Sequence, residues 1–128
     1  MTWLDDARYL SLGTFRRNGV EVRTPVWFAR DGDGLYVFSA PDAGKVKRLR
    51  VSSRARIAPC DVRGTVAGDW LEASAQLISD ANETARAHRA LQRKYGWQMT
   101  LLDIGARISG RYARRQYLCV CATSSGSA

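Results

Sequence analysis

The dipeptide Asn18-Gly19 and the run Asp31-Gly32-Asp33-Gly34 each sit between stretches rich in β-branched and aromatic residues. Asn-Gly and Asp-Gly supply the positive φ angles that tight hairpin turns demand, so two chain reversals are fixed within the first forty residues. Three antiparallel strands are predicted from them, over 11–17, 20–30 and 35–39. Pro25 falls inside the second. A proline offers no N–H to a ladder, so pairing there is expected to be interrupted or bulged, or the strand to lie at a sheet edge.

Further strands are predicted over 55–62, 69–78 and 110–122. In 69–78, Trp70, Glu72, Ser74 and Gln76 alternate with Leu71, Ala73, Ala75 and Leu77, the period of a half-buried strand. Residues 79–96 read as one long helix. Ser79 or Asp80 caps it, Asp80 and Glu83 lie near its positive end, Arg93 and Lys94 near its negative end, and Gly96 stops it. Its apolar stripe is predicted to be Ala81, Thr84, His88, Leu91 and Tyr95. Residues 2–10 fit a short amphipathic helix capped by Thr2, and 97–108 fit either a second short helix or a loop with one helical turn. Six strands, one long helix and few crossovers imply a mainly β (α+β) chain closed, or nearly closed, into an antiparallel barrel. A chain of 128 residues, 45% hydrophobic, sustains one core, so a single domain is expected over 1–122 with a polar tail over 123–128.

The formal net charge of +8 points to an anionic partner: a phosphate, a nucleic acid or a polyanionic cofactor. The first ten residues lack the basic start and apolar run of a secretory signal, and no eighteen-residue apolar segment occurs, so a cytoplasmic protein without a membrane span is expected. Cys60, Cys119 and Cys121 form no CxxC pair, which argues against a disulfide framework or a metal site; they read as buried, unreactive thiols. His88 is the single histidine, and its place on the helix stripe marks it as a packing residue rather than a base. No GxSxG elbow or workable pair of carboxylates is present. No side chain is therefore assigned a catalytic role, and any chemistry is expected to come from a cofactor.

The run Gly44-Lys45-Val46-Lys47-Arg48-Leu49-Arg50 is where such a group would be held. On a helix, Val46 and Leu49 share one stripe and face the barrel, while Lys45 and Arg48 flank it on one side and Lys47 and Arg50 on the other. The N–H groups of the first helical turn add a second attraction for an anion, and Ser39 closes the preceding strand with a hydroxyl. A basic run is more often only a solvated helix face. Helical geometry by itself narrows the clamp to Lys45 and Arg48. A barrel that binds nucleic acid would suit the charge, but the exposed aromatic ladder that stacks on bases is not evident.

In their order and separations, "ARYLSLGTFRRNG", "TPVWF", "DGLYVFSAPDAGKVKRLR", "RIAPCDVRG" and "DWLEASAQL" resemble the pyridoxamine-phosphate-oxidase-like split β-barrel flavoproteins, most closely the actinobacterial branch that uses the deazaflavin coenzyme F420. The resemblance runs from about Ala7 to about Cys121. It implies a six-stranded split barrel of the FMN-binding type, a homodimer with cofactor sites at the subunit interface, and hydride transfer between reduced deazaflavin and an organic acceptor. It further implies that Lys45, Lys47 and Arg48 hold the cofactor phosphate, helped by Ser39, and that Thr24, Pro25, Val26 and Trp27 lie along the ring. Trp70 is implied near the ring, and Arg63 at the phosphate or the acidic tail. FMN in place of F420, or a carrier that binds the cofactor without turnover, are the alternatives this likeness leaves open.

Overall fold

The computed structural model describes residues 7–40, 43–109 and 115–123. Seven strands form one antiparallel sheet: β1 (Tyr9–Phe15), β2 (Glu21–Val26), β3 (Ala29–Asp31), β4 (Gly34–Ser39), β5 (Arg54–Cys60), β6 (Leu71–Ile78) and β7 (Gln116–Ala122). Among the described residues three helices accompany it: α1 (Gly44–Val51), α2 (Ala81–Tyr95) and α3 (Trp97–Ser109).

Both predicted hairpins are present. In the first, Phe15 pairs with Glu21. Its turn places Gly19 at φ 87°, and the Asn18 side chain accepts the Val20 N–H at 3.0 Å. In the second, Asp31 pairs with Gly34 around Gly32 at φ 64°.

The strand count is seven rather than six, because the predicted strand 20–30 is divided. Its first half pairs with β1, and its second half, after Trp27 and Phe28, pairs with β4. The sheet order is β2-β1-β5-β6-β7-β4-β3. Its two edges are thus consecutive pieces of one chain separated by two residues, so the sheet curls into a half-barrel, the open form of the closed or nearly closed barrel that patterning implied. Pro25 pairs opposite Ser11 on the edge strand β2, one residue before the ladder stops.

Strand parity sorts the side chains. Leu10, Leu12, Val26, Leu35, Val37, Ala55, Ile57, Ala73, Ala75, Leu118 and Val120 fill the barrel with Phe28, and Leu49 of α1 closes it. A second core lies outside, where Ala87, Ala90, Leu91 and Tyr95 of α2 and Met99 of α3 cover Ala29, Tyr36, Ile78 and Tyr117.

The start of α2 is as predicted, with the Asp80 carboxylate accepting the Glu83 N–H at 2.8 Å, and Gly96 at φ 57° follows its last residue. Its buried stripe is as predicted only at Leu91 and Tyr95. Ala81 is exposed and Ala87 and Ala90 are buried instead, because His88 turns away from the sheet toward α3. The segment 97–108 is a full helix and not a loop. Of the predicted opening helix, Tyr9 and Leu10 belong to β1 and Ala7 and Arg8 are not helical; the rest of it lies outside the described residues, as do 124–128 of the predicted tail. Of the cysteines, Cys60 is buried as expected, whereas Cys121 is exposed at the open end of β7.

Candidate functional site

The basic run forms α1 with the predicted division. Val46 and Leu49 are buried, Lys45 and Arg48 are half-buried, and Lys47 and Arg50 are exposed. No acidic residue stands in the first turn of α1, and its N-cap residue, Ala43, has no side-chain oxygen to accept a first-turn N–H. Among the described residues, no acidic side chain compensates the positive end of this helix.

The Arg48 guanidinium folds back over that end. One of its terminal nitrogens lies 2.8 Å from the place where a Cβ on Gly44 would be, so the glycine leaves room for it. Its Nε donates to Thr14 Oγ1 at 2.6 Å, a hydroxyl on the interior face of β1 that is fully buried. Burial lowers the Lys45 ammonium below the usual lysine value, and the nearby Arg48 charge lowers it further. The Arg48 guanidinium is likewise lowered, first by burial and then by Arg16. Three cations thus crowd one end of the barrel, and among the described residues neither Lys45 nor Arg48 has a carboxylate partner. Such a cluster is costly until an anion enters it.

Ser39, at the end of β4, shares the interior parity of Val37 and leads through Ala40 toward α1. Thr24 pairs with Leu12 and also has interior parity, one step along β2 from Val22, which faces Thr14. Ser39 lies at the end of β4 from which the chain leads to α1, whereas Thr24 lies within β2, opposite the middle of β1. Pro25 is on the outer face, where its ring lies 3.7 Å from the Cβ position of Gly64. The turn bearing Arg63 is thereby brought beside β2; the Arg63 N–H donates to Asp61 and its side chain is exposed.

Trp27 stacks on Tyr95, with centroids 4.2 Å apart and planes 5° from parallel, while Arg8 covers the Tyr95 ring at 4.9 Å. The Tyr95 hydroxyl occupies the break between β2 and β3. It accepts the Phe28 N–H at 3.0 Å and faces the Phe28 and Arg8 carbonyls at 2.9 and 2.7 Å. The interruption expected near Pro25 is thus met by a side chain from α2. Trp70 has different neighbours. Its ring is covered by Arg23 at 4.4 Å and Arg56 at 5.0 Å, beside a network in which Glu21 and Glu72 pair with Arg56.

The structure therefore sets Lys45 and Arg48 on one side of α1, ties Arg48 to Thr14, and carries the Arg63 turn to Pro25. It leaves Lys47 outward, apart from the clamp. Thr14, Arg16 and Tyr95 join the site without having been singled out. Thr14 was signalled by a hydroxyl in phase with Leu10 and Leu12; Tyr95 carried no signal, since its partners are backbone atoms of other segments.

The model of the pyridoxamine 5′-phosphate oxidase family matches residues 1–123. The chain belongs to this family. Its split-barrel fold recurs in solved structures at low identity. The heme storage protein HutZ of Vibrio cholerae is 14% identical, with a TM-score of 0.71 over 97% of this chain and 87% of that one. A conserved hypothetical protein of Mycobacterium tuberculosis is 16% identical, with a TM-score of 0.72 over 96% and 78%. An F420 reductase is 17% identical, with a TM-score of 0.62 over 96% and 92%. No curated protein matches the chain in sequence. The shared fold thus occurs in a heme storage protein and in an F420 reductase.

Proposed function

We propose that this member of the family is an F420-dependent oxidoreductase that passes hydride from reduced deazaflavin to an organic acceptor. The observation that carries the reading is the half-buried pair Lys45 and Arg48, which has no carboxylate partner among the described residues, at the N-terminus of α1. Two uncompensated cations and free helix N–H groups fit a phosphodiester, and the net charge of +8 suits a cofactor that adds an acidic tail. When bound, the deazaflavin supplies the hydride.

The chain's own part is to bind and orient. Lys45 and Arg48 hold the phosphate, with Thr14 fixing the Arg48 guanidinium and Ser39 donating from the end of β4. Thr24 to Trp27 wall the ring, and the Tyr95 stack fixes the Trp27 indole so that one face is left to the ligand. Arg63 reaches the anionic tail. A second copy of the chain completes the site. No described side chain is needed as acid or base.

Titration with F420 and with FMN, followed by cofactor and tryptophan fluorescence, tests this reading. F420 is expected to bind, and Lys45→Ala with Arg48→Ala to weaken it at least tenfold, while Lys47→Ala stays within about twofold. Tight FMN binding without an F420 response would overturn the cofactor assignment. A double variant of unchanged affinity would overturn the clamp. Binding with no turnover across a panel of conjugated acceptors would make the protein a carrier.

A further inference from the structure

Helix α3 exposes a continuous apolar row. Trp97, Leu101, Ile104 and Ile108 are 71%, 58%, 50% and 82% exposed, at spacings of four, three and four residues that place them on one side of the helix. The same helix buries Met99 and Asp103, so the outward row is separate from its packing face.

The neighbouring helix sets the charge beside this row. Gln92 and His88 of α2 face α3, where Gln92 donates to Thr100 Oγ1 and His88 meets the Asp103 carboxylate. The next positions round each helix are Arg89 and Arg93 on α2 and the apolar row on α3, and they open on the same side of the hairpin. Both arginines are exposed. The acids of these helices are turned inward: Asp103 pairs with His88 and Arg115, and Glu83 accepts from the Tyr36 hydroxyl. Among the described residues, the outer surface of the two helices is thus apolar and basic and carries no acidic side chain.

We propose that this face seats the protein on an anionic lipid surface. A projecting row with tryptophan and branched aliphatics beside cations is the pattern of a helix lying in the headgroup region, its apolar side chains inserted and its arginines at the phosphates. The helix has thirteen residues, too short to span, and no described helix is long and apolar enough to cross a membrane. A second copy fits less well. Two-fold pairing here would bring together arginine rows from chains of net charge +8, and one short helix offers less than the roughly 800 Å² per partner of a stable interface. The face is distinct from the Lys45 and Arg48 clamp, so this inference stands or falls apart from the cofactor reading.

Flotation of the full chain with vesicles tests it, comparing pure phosphatidylcholine with a mixture containing about one third phosphatidylserine. Binding to the anionic vesicles is expected at low salt, at least tenfold tighter than to the neutral ones and weakened by salt. A blue shift of tryptophan emission should accompany it and be absent in Trp97→Phe. Leu101→Asp with Ile104→Asp should abolish binding at unchanged melting temperature, and Arg89→Gln with Arg93→Gln should remove the anionic preference. No binding at low salt, or binding indifferent to both double variants, overturns the proposal. A concentration-dependent dimer lost in Leu101→Asp with Ile104→Asp, without vesicle binding, would give the face to a second copy and overturn it as well.

Discussion

Tyr95 shows how one side chain holds the architecture and the candidate site together. Its hydroxyl serves the backbone at the only place where the long strand leaves one neighbour for another, and its ring fixes Trp27. Burial pushes the hydroxyl up to about 12, against the lowering effect of its bond to Phe28. Tyr95→Phe keeps the stack but leaves the Phe28 N–H without its acceptor, so a loss of about 1–3 kcal/mol is expected in urea unfolding. A variant as stable as the parent would show that water replaces the hydroxyl. The sequence displayed Tyr95 as an apolar stripe residue, correct in burial, and concealed its polar task. The division of cations in α1 was legible because Val46 and Leu49 alone fix the helix phase. The anchoring of Arg48 on Thr14 was not, since it joins residues thirty-four apart.

At the scale of elements, α2, α3 and β7 are tied by one polar cluster. The Asp103 carboxylate meets His88 of α2 at 2.7 Å and receives Arg115, just before β7, at 2.8 Å. Arg115 also lies over the Phe38 ring at 4.5 Å. Removing one member of such a buried set leaves the others poorly compensated, so Asp103→Ala is expected to cost about 3 kcal/mol and to raise amide exchange in α3 before the barrel strands. Uniform exchange across the chain would instead make the hairpin and barrel one cooperative unit. Helix existence and ends were readable from caps and periodicity, as Asp80 and Gly96 demonstrate. The phase of α2 was misjudged because His88 and Thr84 were counted with the apolar set. The helical state of 97–109 was obscured by an apolar row that no described element covers.

For the whole molecule, alkaline pH probes how the fold holds its neutral acids. Burial pushes the Cys119 thiol up to about 12, with the neighbouring Cys121 adding to the effect; Tyr95 also lies at about 12, and Tyr36 is raised. A raised value means the folded chain keeps a proton that the unfolded chain releases. The stability these groups contribute is complete below about pH 9, where an unfolded thiol begins to ionise, and is lost as pH rises toward 12. Burial raises the Cys60 thiol as well; Lys45, lowered by burial, acts in the opposite sense, one group against four. The urea midpoint should therefore fall from pH 9 to 11, and a flat profile would contradict the burial of these groups. Local rules in the sequence determined the hairpins, the mainly β class and the helix that presents Lys45 and Arg48, because turn chemistry and periodicity act over a few residues. Only the tertiary structure decided that strand 20–30 splits into the two edges of one curled sheet, that Trp27 belongs to Tyr95 and Trp70 to Arg23 and Arg56, and that Arg48 is anchored on Thr14. Those outcomes depend on which distant groups meet when the barrel closes, a condition no short window of sequence contains.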